Sequence, residues 1–285
     1  MAFGQWSAQQ YVRLLNPWCE WNNSSRNFVL AAALLNNGEK YKAKDLFLKS
    51  SNGIFLERFL ADRVLTSDDD NDAKALVNYH LKIIQLFELH GARDCAIDVA
   101  RTALSAADSD DPHIATLHSV MFVHHLALGH FEESYNSLIA NPDKERRDDN
   151  LRDLVKTLLD NKMLDTLMSF PYVDMMETFT NIVMARARAC DSVGNLFYDF
   201  LYSFEIKRGN MRLAATAMYE QAYRLGQHNT VESLEQQVKC YLACLNALYL
   251  VNDNHRWVIR PVDQGEEEET YIFPPTAGSD EVSIR

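Results

Sequence analysis

Apolar positions along this chain return every three or four residues, and the stripes they form are those of packed helices. Leu76, Ile83, Ile84 and Phe87 share one face. Ile114, Leu117, Met121 and Leu128 share another, and Leu196, Phe197, Phe200, Leu201 and Phe204 a third. The longest seam is Val231, Leu234, Val238, Tyr241, Leu242, Leu245, Leu248 and Tyr249. Alternation of strand type is nearly absent; only Trp257-Val258-Ile259, just before Pro261, reads as extended. The pattern predicts an all-α fold, an irregular α-solenoid of antiparallel helix pairs with roughly a dozen helices.

Glycines punctuate the stripes. Gly38 is followed five residues on by Ala43, Gly91 by Ala96, Gly129 by Ser134 and Gly209 by Ala214. A glycine ends a helix in the left-handed conformation at little cost, and a small residue one turn into the next helix lets the two approach closely. The glycines are 53, 38 and 80 residues apart, and the last interval fits two units with Asn161-Lys162 as a turn lacking glycine. The repeat is therefore irregular, unlike a strict tetratricopeptide array.

At the start, a short helix over 8–15 is expected to stop before Pro17, among Trp6, Trp18 and Trp21. Ser24 or Ser25 is expected to cap a helix over 27–35, followed by one over 40–51. Polar stretches at 66–72, 108–112 and 141–149 read as linkers. The solenoid is assigned to 1–262. The segment 263–285, with Glu266-Glu267-Glu268-Glu269 and Pro274-Pro275, reads as an acidic, flexible tail or loop. The stop at Ser283-Ile284-Arg285 suggests a piece of a longer protein. The Tyr241-to-Tyr249 seam reads first as core. Its other reading is a partner-binding face made by Tyr241, Leu245, Leu248 and Tyr249, with Trp257 beyond.

Charge narrows the partners. The formal net charge is −12, which disfavours nucleic-acid phosphates and anionic lipid. No apolar run reaches the length of a membrane span, and no secretory leader is expected. Five cysteines without a C-x-x-C pair read as reduced thiols, so the sequons at Asn22 and Asn23 carry no weight.

Candidate chemistry fails position by position. Counted from Asp68, a calcium loop would need glycine where Ala73 stands and a glutamate where Tyr79 stands. His118, His124, His125 and His130 form no zinc motif and read as packed or surface histidines. Cys240 and Cys244 lie on one helix face without two further ligands and read as small core residues. No nucleophile elbow, dinucleotide fingerprint or Walker loop is present, so no cofactor, metal or catalytic residue is assigned. Arg186 and Arg188 point to different helix sides and read first as one surface arginine and one pairing with a neighbouring helix, the other reading being a partner contact.

Several stretches resemble the α-helical region of one nucleoporin family. They are Phe170-Pro171-Tyr172-Val173, the run Arg186 to Asp191, Asn195 to Leu225, Asn141-Pro142-Asp143, and Leu245-Asn246-Ala247-Leu248 through Trp257-Val258-Ile259-Arg260-Pro261. The family is the propeller-plus-solenoid subunit in the short arm of the Y-shaped nuclear pore scaffold complex. The likeness is ordered over 115–262 and weak before about residue 75. It implies a non-enzymatic scaffold at the nuclear envelope, acting in pore assembly, nuclear transport and mRNA export. It also implies other Y-complex nucleoporins, the hub solenoid subunits, as partners. Members of that family begin with a propeller and continue with further helices, many of their hub contacts lying in the latter. The rival is a tetratricopeptide-like adaptor holding a peptide in a concave groove. An all-α enzyme is a third reading, which perturbed carboxylates or histidines in one deep pocket would support.

Overall fold

The computed structural model describes Gln10 and residues 22–64, 72–191, 194–228, 230–259 and 270–272. The expected helix over 8–15, its aromatic neighbours and most of the linker at 66–72 lie outside these residues, as does most of 263–285. Among the described residues there are thirteen α-helices and two short strands. They fall into two compact units, residues 1–154 and 155–285.

The first unit holds α1 (Asn23–Asn36), α2 (Lys40–Ser50), α3 (Arg58–Val64), α4 (Asp72–Leu89), α5 (Arg93–Ala106), α6 (Ile114–Leu128) and α7 (Phe131–Ile139). The division between the units falls inside α8 (Lys144–Asp160). Each helix packs chiefly on its neighbour in sequence, α1 on α2, α4 on α5, α5 on α6 and α6 on α7. Rings fill the interior: Phe47 lies edge-on to Phe28 and Phe87 at 5.3 and 5.8 Å, and the Tyr79 hydroxyl donates to the Phe47 carbonyl at 2.7 Å. Charge stays at the rim, where Lys40 and Lys44 of α2 meet Asp94 and Asp98 of α5 at 2.8 and 2.6 Å.

The second unit continues with α9 (Leu164–Ser169), α10 (Met176–Ala189), α11 (Leu196–Lys207), α12 (Met211–Leu225) and α13 (Val231–Tyr249). Tyr172 stacks on Phe179 at 4.0 Å, and Phe179 reaches Phe204 at 5.0 Å. The backbone at Tyr172 and Asp174 is left-handed, with φ of 47° and 59°. Strand β1 (Trp257–Ile259) pairs antiparallel with β2 (Thr270–Ile272) and rests on α12. That second strand falls inside the segment read as a tail.

Five helix-to-helix turns share one geometry. Gly38, Gly91, Gly129 and Gly209 have φ between 66° and 84°, and Lys162 takes the same place at 57°. In each, the left-handed residue donates its N–H three residues back and the next residue donates five back, as Gly91 to Glu88 and Ala92 to Phe87, or Lys162 to Leu159 and Met163 to Leu158. The second residue then starts the following helix, with φ near −86° and ψ near 60° at Glu39, Ala92 and Met163. Five residues after the left-handed one, Ala43, Ala96, Ser134, Leu167 and Ala214 are all fully buried. A Cβ added at Gly38, Gly91, Gly129 or Gly209 would touch nothing within 4 Å, so the backbone angle alone calls for glycine.

Three expectations need correction. Helix α1 begins at Asn23, and its first N–H groups are not capped by Ser24 or Ser25; the Glu57 carboxylate accepts from the Ser24 and Ser25 amides at 2.9 and 2.6 Å and from the Ser25 hydroxyl. The stretch 141–149 is not all linker, because Asp143 accepts from the amides of Glu145 and Arg146 and starts α8 at Lys144. On α6 the stripe is not the predicted one: Leu117 is buried with Phe122, His124 and His125, while Leu128 is exposed, since α5 and α7 cover the helix from two sides.

Candidate partner-binding face

The run Arg186 to Asp191 and the stretch from Asn195 build a polar clasp that fixes the helices of the second unit. Arg188 at the end of α10 forks onto Glu220 of α12, with Nε on Oε1 at 2.6 Å and Nη2 on Oε2 at 2.8 Å. The Tyr198 hydroxyl of α11 donates to the same Oε1 at 3.0 Å, and Arg224 donates to the Tyr198 oxygen at 3.1 Å. Arg224 and Asn195 also supply the last carbonyls of α10, Ala187 and Arg188, with donors at 2.7–3.2 Å. Burial pushes the Tyr198 hydroxyl up to about 12, while the Glu220 carboxylate raises the Arg188 guanidinium further. Arg186 pairs with Asp160 at 2.6 Å, so both arginines are engaged.

Helix α13 is held through its small side chains. Ser233, Cys240, Cys244 and Ala247 are buried, with Leu248. The Cys240 thiol lies 3.3 Å from Gln221 Oε1 of α12, and burial pushes the Cys240 and Cys244 thiols up to about 11 and 12. A face of small residues lets α12 come close. The large apolar residues consequently turn outward: Val231, Leu234, Val238, Leu242 and Tyr249 are 75, 51, 57, 55 and 58% exposed. Reading the Tyr241-to-Tyr249 part of the seam as core therefore fails at Leu242 and Tyr249, because residue volume and not hydropathy chose the contact face.

The five residues named from sequence do not share one surface. Leu248 is buried; Tyr241 is half-buried, its ring 6.0 Å from Tyr219; Trp257 is half-buried beneath the Arg212 guanidinium at 4.4 Å. Only Leu245, itself half-buried, and Tyr249 fall on the outward stripe, alongside Val231, Leu234, Val238 and Leu242, none of which is among those five. The signal that could have found them was present: cysteine, serine and alanine recur at the helical period on the opposite face.

Beside the stripe runs a groove of about 530 Å³, lined by Asp199 and Tyr202 of α11, Met218 of α12 and Glu232, Glu235, Gln236, Lys239 and Cys240 of α13. Partial desolvation there raises the Asp199 carboxyl above its ordinary range. Among the described residues no group of three His, Cys, Asp or Glu side chains could hold a metal ion, and no helix is long and apolar enough to cross a membrane.

A family model described as the NUP160/120 middle TPR matches residues 3–250. The chain is 40% identical over 278 residues to the Drosophila melanogaster nuclear pore complex protein Nup160 homolog, covering 91% of this chain and 20% of that protein. It is 38% identical over 256 residues to human nuclear pore complex protein Nup160, covering 89% and 18%. Against Arabidopsis thaliana NUP160 it is 26% identical over 224 residues, covering 70% and 15%. The chain thus spans about a fifth or less of the length of the curated relatives it matches.

Proposed function

Because the chain belongs to the NUP160/120 middle TPR family, we propose that it is a structural segment of a nuclear pore scaffold nucleoporin, working at the nuclear envelope through protein–protein contacts. The observation that carries the reading is the family match over residues 3–250, together with relatives named as pore proteins at 40 and 38% identity. The architecture suits a mechanical part. Helix pairs closed by turns of two or three residues leave little loop that could open, and the clasp around Glu220 ties three helices at one point. The role extends to pore assembly, nuclear transport and mRNA export. The partners are other subunits of the Y-shaped scaffold, its hub solenoids foremost. No catalytic step belongs to it.

The test uses the full-length protein that carries this segment, tagged and expressed at its own level. A nuclear-rim signal by microscopy, with Y-complex nucleoporins recovered by affinity purification and mass spectrometry, is the expected result. A diffuse signal, with recovery of a soluble client and no pore subunit, would overturn the reading in favour of a peptide-binding adaptor.

A further inference from the structure

The outward stripe of α13 has the spacing of a surface made to receive a second helix. Val231, Leu234, Val238, Leu242, Leu245 and Tyr249 follow one another at intervals of three or four and extend over about 27 Å of helix at 1.5 Å per residue. Among the described residues α12 lies against the opposite, small-residue face and β1 rests on α12, so Val231, Leu234, Val238 and Leu242 stay exposed; towards the end of the stripe Leu245 is half-buried and the Arg256 guanidinium lies 5.5 Å over the Tyr249 ring. A row of large apolar residues at this period seats an amphipathic helix.

The border beside the groove specifies the charge of the flank that an occupant turns towards it. The next strip around α13 carries Glu232, Glu235 and Lys239, and Asp199 faces them across the groove. Three acids against one base leave the border negative, and none of the three carboxylates has an ion pair among the described residues. Tyr202, on the same wall, offers a ring on which a guanidinium stacks. The chain's own Glu266–Glu269 run carries the same sign as this border. A second copy laid on the stripe would bring Glu232 and Glu235 towards their own kind.

We propose that the outer face of α13 docks an amphipathic helix from a neighbouring subunit, its apolar stripe seated on Leu234, Val238 and Leu242 and its arginine-rich flank reaching Asp199, Glu232 and Glu235. This deepens the scaffold reading and rests on it for the identity of the neighbour, but not for the chemistry of the surface.

The experiment titrates the full 285-residue chain into two designed, fluorescein-labelled helical peptides, monitored by anisotropy. Both peptides carry leucine at three- and four-residue intervals; one is flanked by arginine, the other by glutamate. The expected result is saturable binding of the arginine peptide in the micromolar range, at least tenfold tighter than the glutamate peptide and weakening as salt rises. Leu234→Ser with Val238→Ser and Leu242→Ser reduces binding at least tenfold. Asp199→Asn with Glu235→Gln removes the preference for arginine and keeps residual binding. The stripe is exposed, so circular dichroism and Tm should stay near wild type; the single change Leu242→Glu repeats the test with least disturbance. Equal binding of the two peptides, binding by neither, or no effect of the stripe variants overturns the proposal. So does a dimer in sedimentation velocity that Leu242→Glu dissolves. Nuclear-rim localisation of the parent is read separately, so loss of the docking surface and loss of the scaffold reading are distinguishable.

Discussion

The two units tie their helices with different materials. In residues 1–154 the described interior is built of rings around Phe47, and the ion pairs of Lys40 and Lys44 sit at the rim. That interior also takes in neutral histidines: burial lowers His80 to about 4 and lowers His118 and His125 as well. In residues 155–285 a carboxylate, Glu220, is drawn inside and matched by Arg188, Tyr198 and Arg224. The comparison teaches where each unit is vulnerable. The first depends on volume and on keeping imidazoles uncharged, and the second on two buried carboxylates among the described residues, Glu220 held by Arg188 and Tyr198 and Glu205 by the Asn210 amide.

The largest effect expected is from Phe47→Ala, which deletes a fully buried ring contacting two others. A loss of about 3–5 kcal/mol, confined to the first unit, is expected from denaturant unfolding followed by hydrogen exchange. Equal loss of protection in both units would mean that they unfold as one.

Acid should separate the units next. His80 titrates near 4 when folded and near its ordinary 6.5 when unfolded, so the unfolded chain binds more protons below that ordinary value. Stability of the first unit is therefore full above pH 6.5 and is lost as pH falls towards 4, by about 1.4 kcal/mol per pH unit for this one group. His118 and His125 act in the same direction. Among the described residues of the second unit the shifted carboxyl is Asp199, whose raised value has the opposite sign and favours the fold as pH falls. Exchange at pH 5 against pH 7 should loosen the first unit selectively, and His80→Phe should reduce the difference.

Glu220→Ala comes third. It strands Arg188 and Tyr198 and should cost about 2–3 kcal/mol, towards the lower end because the Arg188 side chain is 60% exposed and can turn to water. Glu220→Gln should recover part of this, since the amide oxygen still accepts from Tyr198. Smallest is the contrast between turns. Gly91→Ala should destabilise by about 1–2 kcal/mol through its backbone angle alone, whereas Lys162→Gly should stabilise by about 0.5 kcal/mol. Thermal unfolding of the two variants checks the signs, and a stabilised Gly91→Ala would remove the common geometry as the reason for glycine.

Much of this was legible in the residues. The four glycines marked their turns because a left-handed backbone angle leaves few alternatives, and Lys162 could be placed only by the length of the interval around it. What sequence could not give were partners brought together from far along the chain. Glu57 caps a helix start 33 residues earlier, and Glu220 meets Arg188 from 32 residues away. Polarity also misled at 141–149, where Asp143 turns a charged stretch into a helix start. On α13 the candidate face was seen but its orientation was not, since hydropathy ranks leucine above cysteine and alanine while close approach between helices ranks them the other way.

The tight turn of two or three residues has a consequence for force. A chain pulled at its ends first draws out whatever slack its loops contain, and at Gly38, Gly91, Gly129, Lys162 and Gly209 there is almost none. Tension arriving at such a corner passes straight into the helices it joins. Those helices lengthen only by unwinding, each residue released gaining about 2 Å as it goes from helical rise to extended chain. A segment built this way yields in discrete ruptures, stiff up to each one, and the order of rupture is set by which corner's helices are least firmly packed.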